Sequence, residues 1–422
     1  MTHLPDNKNP LLQLGENARA AAAELSQAKT ALKNKALALM SDGLRENKAR
    51  ILAANKKDMA RAQDNGMPPA QMDRLMLNAE RIDAIAESLA TIIKLEDPVG
   101  KLLQSVMRPN GLKIEKVAVP IGVIGMIFES RPNVAVDAAA LCMKSGNACI
   151  LRGGSESWDS VAALVEVIRD ALNKAKLSPD IVQIVPSPDR ALVGAMLTLD
   201  SHIDLIVPRG GRSLVERVRT ESRIAVLSHL EGICHTYIDA KADPVKAVSV
   251  TLNAKMRRPS ICGATECLLL HKEIATTIGA NVMFELLKAG CEVRVPAELM
   301  PLSPGFKQVA QHDYGYEFLA PIIAVAVVDD TKQAVEFINR YGSGHTDAIL
   351  TEDKHAAEYF LTRVNSAIAL HNASTQFADG GEFGMGCEMG IATGKLHARG
   401  PVGLEQLTTY QYRVYGDGQT RA

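Results

Sequence analysis

The segment Asn253–Leu270, NAKMRRPSICGATECLLL, places one cysteine, Cys262, between a stretch with helical spacing and a strand-like run. A thiol attacks only as its thiolate, and nearby positive charge lowers its pKa. Lys255, Arg257 and Arg258 all fall within a few residues, so the pattern points to a nucleophile. Taken alone it competes with the ordinary reading of cysteine as a small buried apolar residue. Two other stretches carry a different chemistry. Leu151-Arg152-Gly153-Gly154-Ser155 and Val207-Pro208-Arg209-Gly210-Gly211 each set paired glycines between a strand end and a helix start. Bare N–H groups and a helix dipole meet phosphate at such turns, which suits a dinucleotide. Neither stretch matches G-x-G-x-x-G, and glycines also occur at such turns for steric reasons alone. Two such turns, each with an arginine, make a stronger case than one.

The bounds of the chain narrow the function classes. With 422 residues there is room for two or three domains. The 47 Lys and Arg against 48 Asp and Glu leave no global field to hold nucleic acid or an anionic membrane, so a small-molecule function is favoured. Seven cysteines without a CxxC pair imply neither a disulfide framework nor a structural metal site, and a reducing compartment fits best. The start, MTHLPDNKNPLL, lacks a basic segment followed by an apolar core. The apolar run Val117–Phe128 is interrupted by Pro120 and two glycines and is short of the ~20 residues of a membrane helix. The expectation is a cytoplasmic protein without metal.

The elements that must position these residues follow from periodicity. Asn17–Met40, Arg45–Asp64 and Ala79–Leu95 read as helices, and Pro109-Asn110-Gly111 as the turn of a projecting hairpin, about residues 105–122. Then strand and helix alternate: Ile121–Phe128, Val134–Ser145, Ala148–Arg152, Val161–Ala175, Ile181–Val185, Ala191–Leu199, Ile203–Val207, Ser213–Thr220. This alternation implies a parallel sheet covered on both faces, and the fold class is α/β. The second half repeats it, with helices Asp243–Ala254 and Ile274–Ala289, strands Thr265–His271 and Ile322–Val328, and helices Lys332–Asn339 and Lys354–Arg363. Residues 372–401 are glycine-rich and irregular, as functional loops are, and Leu407–Tyr415 alternates like a strand.

The spacing of ESRPN (Glu129–Asn133), LRGGSE (Leu151–Glu156), RRPSICGA (Arg257–Ala264), YEFLAP (Tyr316–Pro321) and HARGPVGLEQLTTY (His397–Tyr410) resembles the aldehyde dehydrogenase superfamily. NASTQFADG (Asn372–Gly380) and KLHARGPVGLE (Lys395–Glu405) resemble the branch that reduces glutamyl 5-phosphate to glutamate 5-semialdehyde, a step of proline biosynthesis. The likeness covers nearly the whole chain. It implies a cofactor-binding domain over residues 1–240, a catalytic domain over 241–400, and a small β element at 401–422 that oligomerises with the hairpin.

By resemblance, Cys262 is the nucleophile and Asn133 the oxyanion-hole amide, for which helix capping is the alternative. Glu317 matches the glutamate that holds the nicotinamide ribose. Arg152 stands where many relatives carry a lysine near the adenosine ribose; its fork suits a 2′-phosphate, so the implied cofactor is NADPH/NADP. The other implied cofactor contacts are Gly153, Gly154, Ser155, Arg209, Gly210 and Gly211. For substrate the candidates are Arg258, Asn372, Ser374, Thr375, His397 and Arg399. Hydrolytic members of the superfamily keep a glutamate base where this chain has Ser228–Gly232, a stretch that includes His229 and Glu231 and does not fit their pattern cleanly; the missing base agrees with a thioester released by hydride or phosphate rather than by water. The implied partners are a small-molecule substrate, a second copy as homodimer or homotetramer, and a separate glutamate kinase as source of the acyl phosphate.

Overall fold

The computed structural model describes Asn9–Arg421. The amino-terminal residues read above for a targeting signal lie mostly outside that range. No described helix is long and apolar enough to cross a membrane.

The chain forms two compact units. The first holds the described residues through Ser228, together with Gly384–Gly390 and the chain from Val402 on; the second holds His229–Phe383 and Ile391–Pro401. Five helices precede the first strand: Leu12–Leu25, Thr30–Glu46, Lys48–Asp64, Pro69–Leu75 and Ala79–Lys94. The single helix expected over Asn17–Met40 is therefore two. The break at Ser26–Lys29 contains no Gly or Pro, and the Ser26 hydroxyl caps the first helix by donating to the Ala23 carbonyl at 2.8 Å.

The hairpin is β1 (Leu102–Met107) and β2 (Lys113–Pro120). Its turn needs Gly111, whose φ of 88° is left-handed, and Asn110 Oδ1 accepts from the Leu112 amide at 3.2 Å. The tail strand Thr408–Tyr415 pairs antiparallel with β2 along its whole length, within the same chain. It is thus part of the first unit rather than a separate element.

The sheet of that unit is β3 (Val123–Phe128), β4 (Ala148–Gly153), β5 (Val182–Ile184), β6 (Leu205–Arg209) and β7 (Ala225–Val226), all parallel in the order β5-β4-β3-β6-β7. Central β3 is buried at every residue, as a strand covered on both faces must be. Val123, Ile127, Ile150 and Ile206 share one core with Ala18 and Ala22 of the first helix.

The second unit has a seven-stranded sheet. Its strands are β8 (Cys234–Ile238), β9 (Thr265–His271), β10 (Glu292–Val295), β11 (Lys307–Gln308), β12 (Ile322–Val328), β13 (Thr346–Leu350) and β14 (Ile368–His371). They are parallel in the order β11-β10-β12-β9-β8-β13-β14. Strand alternation divides its core: Leu268 and Leu270 pack with Val282 and Met283 on one face, Cys267 and Leu269 with Ile338 and Phe360 on the other. Each such leucine contributes roughly 1.5–3 kcal/mol of burial. The boundary expected at 240–241 sits at 228–229, because β8 pairs between β9 and β13 and so belongs wholly to this sheet.

Candidate active site

Parallel strands bring their amino ends to one edge. Cys234, Thr265, Thr346 and Ile368 open β8, β9, β13 and β14, so the loops before them converge there. Cys262 lies in the loop between the helix Pro244–Met256, capped by Asp243, and β9. The loop is held from behind. A Cβ on Gly232 would stand 2.1 Å from the Cys262 carbonyl oxygen and 2.6 Å from its Cα, so only glycine permits this backbone approach. The Cys234 thiol donates to the same carbonyl at 3.1 Å.

In front of the thiol stand two histidines. His229 and His345 face one another edge to face with ring centroids 5.3 Å apart, and one ring nitrogen of each lies within 4.8 Å of the other and of Cys262 Sγ. His229 Nδ1 meets the Ile391 carbonyl at 2.8 Å; a carbonyl only accepts, so that nitrogen carries hydrogen and the other faces the thiol. Burial pushes the Cys262 thiol up, but the charge of His345 and the hydrogen bond and charge of His229 outweigh it and hold the thiol well below its ordinary value. Of the two rings, His345 acts first through charge and only secondarily through a hydrogen bond.

The cations expected to activate Cys262 are occupied elsewhere. Lys255 is fully buried in an ion pair with Glu266, Arg257 donates to Gln376 Oε1 at 3.2 Å, and Arg258 is exposed. Neither histidine was legible as an activator, because the three residues are far apart in sequence and no spacing links them. Glu317 does reach the site: its Oε1 accepts from the Gly232 amide at 2.8 Å, and burial raises its carboxyl.

The substrate candidates separate. Thr375 is buried, its carbonyl packs near Gly263, and its hydroxyl has no partner. Ser374 accepts from the Gln376 amide, shaping that turn. Asn372, left-handed at φ 52°, is spent on Thr351, accepting from its amide at 3.0 Å and donating to its carbonyl at 2.9 Å. Arg399 donates to the Asn365 carbonyl at 2.8 Å and lines a cavity of about 180 Å³ with Lys395, Ser343 and Thr393. His397 is exposed, with φ 67°.

In the first unit, Asn133 opens the helix Asn133–Lys144 but does not cap it. Its Nδ2 donates to Asp137 Oδ2 at 3.0 Å, one turn on. Burial pushes the Asp137 carboxyl up to about 6 against the pull of Asn133 and Arg209. The glycine turns are less bare than expected. The Gly211 amide donates to Glu129 Oε2 at 3.0 Å, and a Cβ on Gly154 would collide with the Glu156 carboxylate. A carboxylate already satisfies donors where a phosphate was expected. Gly210 is exposed beside Glu129, Gly153 ends β4, and Ser155 is exposed. Arg209 faces Glu388 at 3.9 Å. Arg152 is buried, donates from Nη2 to the Pro188 carbonyl at 2.8 Å, and keeps a buried Nε without a partner.

A sequence model of the aldehyde dehydrogenase family matches residues 9–291 and 310–411, a span that includes the cysteine loop. The chain belongs to the aldehyde dehydrogenase family. Within the family it is 54% identical over 412 residues, 97% of this chain and 98% of the relative, to the gamma-glutamyl phosphate reductase of Brucella suis biovar 1. It is 52% identical over 408 residues, 97% of this chain and 95% of the relative, to the enzyme of the same name from Zymomonas mobilis. The crystal structure of gamma-glutamyl phosphate reductase from Thermotoga maritima superposes with a TM-score of 0.95 at 42% identity, covering 98% of this chain and all of that one. An engineered glycolyl-CoA reductase with bound NADP+, 16% identical with a TM-score of 0.68, shares the fold.

Proposed function

We propose that this chain reduces L-glutamyl 5-phosphate to L-glutamate 5-semialdehyde with NADPH, releasing phosphate, a reading supported by its similarity to enzymes named gamma-glutamyl phosphate reductase. The observation that carries the chemistry is the Cys262 thiol between two imidazoles. His229, with Nδ1–H fixed on the Ile391 carbonyl, can take the thiol proton, and the charge of His345 stabilises the thiolate left behind. The thiolate adds to the acyl carbon and phosphate departs, leaving a thioester on Cys262. A nicotinamide, when bound, supplies the hydride that reduces the thioester. Charge that builds on the carbonyl oxygen is met by the Cys262 amide and, in this proposal, by the Asn133 amide. One Asn133 hydrogen is held by Asp137, which directs the NH2 group rather than the carbonyl and leaves a second hydrogen for that oxygen.

The residues present suit an NADP. Arg152 Nε is a buried donor lacking an acceptor, and a 2′-phosphate oxygen supplies one. Arg209, Gly153, Gly154, Ser155, Gly210 and Gly211 would flank the same cofactor, and the remaining oxygen of Glu317 would take its nicotinamide ribose. Thr375 is the substrate contact we favour, followed by Arg399; Arg258, Ser374 and His397 supply less, and Asn372 spends both Nδ2 hydrogens on Thr351 and Glu352. A separate glutamate kinase and self-association belong to the same reading.

The test runs the reaction backwards. With semialdehyde and NADP in phosphate-free buffer, NADPH absorbance should show at most one equivalent per site, and steady turnover should begin only when phosphate is added. Steady turnover without phosphate would make the chain a hydrolytic dehydrogenase, with Glu231 or His229 as base.

A further inference from the structure

We infer that Cys262, His229 and His345 form a binding site for zinc that takes the nucleophile out of service. One thiolate and two imidazoles are the donor set that zinc selects, and three protein ligands leave a fourth position for water. The three donor atoms lie within 4.8 Å of one another. A tetrahedral ion, with Zn–S about 2.3 Å and Zn–N about 2.0–2.1 Å, holds such atoms roughly 3.3–3.6 Å apart. Rotation of the half-buried Cys262 side chain toward the two rings would supply that closure.

The orientation of the rings is an independent observation. Histidines that ligate a metal have the other ring nitrogen fixed by an outer hydrogen bond. His229 Nδ1 donates to the Ile391 carbonyl and His345 Nδ1 meets Thr346 Oγ1, each at 2.8 Å. The second nitrogen of each ring is the one left to the cluster, and His345 Nε2, fully buried, has no hydrogen-bond partner there. A cation satisfies it. On binding, the thiol proton leaves to solvent and sulfur becomes a ligand, so zinc and acyl substrate exclude one another.

Cobalt reports this geometry without turnover. Titration of the full chain with Co2+, in the absence of substrate and nicotinamide, should bind one ion per chain with a thiolate-to-cobalt charge-transfer band and tetrahedral d–d bands, all displaced by Zn2+. The charge-transfer band should vanish in Cys262→Ser, and affinity should fall at least about tenfold in His229→Gln and in His345→Gln. Absence of the band in the unmodified chain overturns the site, and that measurement does not depend on any variant folding. A band that survives in Cys262→Ser, or affinity unchanged in both histidine variants, overturns it equally. Because no reaction is read, failure of the zinc site leaves the proposed reaction standing, and failure of the phosphate-dependence test leaves the zinc site standing.

Discussion

At Cys262 the protonation state is a contest between burial, which favours the thiol, and two imidazoles, which favour the thiolate. The imidazoles win, so the reactive form persists as pH falls below the range where an ordinary cysteine, with a pKa of about 8.5, is already protonated. Alkylation followed by peptide mapping should therefore mark Cys262 first, ahead of Cys142, Cys234 and Cys267, whose thiols burial pushes up. The midpoint of the labelling rate against pH should rise toward about 8.5 in His345→Gln. An unchanged midpoint in both His345→Gln and His229→Gln would remove the imidazoles from the account. The cysteine was legible because its loop, between a helix and a buried strand, has a sequence signature. His345 was not: a buried histidine just before a strand is indistinguishable from a packed one until the fold sets it beside the thiol.

Within the helix Pro244–Met256 and the strand β9 it precedes, Lys255 shows how a sequence reading goes astray. Three cations near one cysteine looked like an electropositive loop, yet Lys255 and Glu266 are 0% and 1% exposed and belong to each other. Burial raises Glu266 to about 7 despite that lysine, so desolvation outweighs attraction. Lys255→Met should then lower stability by about 3–5 kcal/mol at alkaline pH, read as a drop in the urea midpoint. Without Lys255 the Glu266 carboxyl moves further above its unfolded-state value, so the variant takes up its proton at a higher pH than the parent, and the penalty should shrink as pH falls toward about 7, the parent's own value. Lys255→Met with Glu266→Leu should recover most of the loss; a double variant as weak as the single one would show that packing, not charge, is at stake. Polarity also hid β8 and β13. Their His235 and Asp347 are fully buried but bonded to each other at 2.8 Å, so the runs lacked the apolar pattern that revealed β9 and β12.

For the molecule as a whole, the tail strand is the informative element. Seven of its eight residues are exposed, Tyr410, Tyr412 and Val414 among them. Apolar exposure on this scale marks an interaction surface, and a second copy of the chain is the occupant proposed above. Tyr412→Glu with Val414→Lys should shift the mass measured by light scattering toward that of one chain. A mass equal to that of the unmodified protein would free this face from an assembly role. Apart from β8 and β13, the two-unit α/β architecture was legible because alternating strands and helices carry strong periodicity; the partner of the tail strand was not, since strand pairing over long sequence separations leaves no local trace.

That pairing also sets an order of events during synthesis. The β2 edge is made early, but the strand that covers it, and the Leu407 carbonyl that accepts from Asn147 Nδ2 at 2.9 Å, are made about three hundred residues later. At about 5–20 residues per second the ribosome leaves that edge open for on the order of 15–60 s. For this interval a nascent chain carries an unpaired β-edge, and it is in that window, rather than in the mature enzyme, that a chaperone would have this edge to hold.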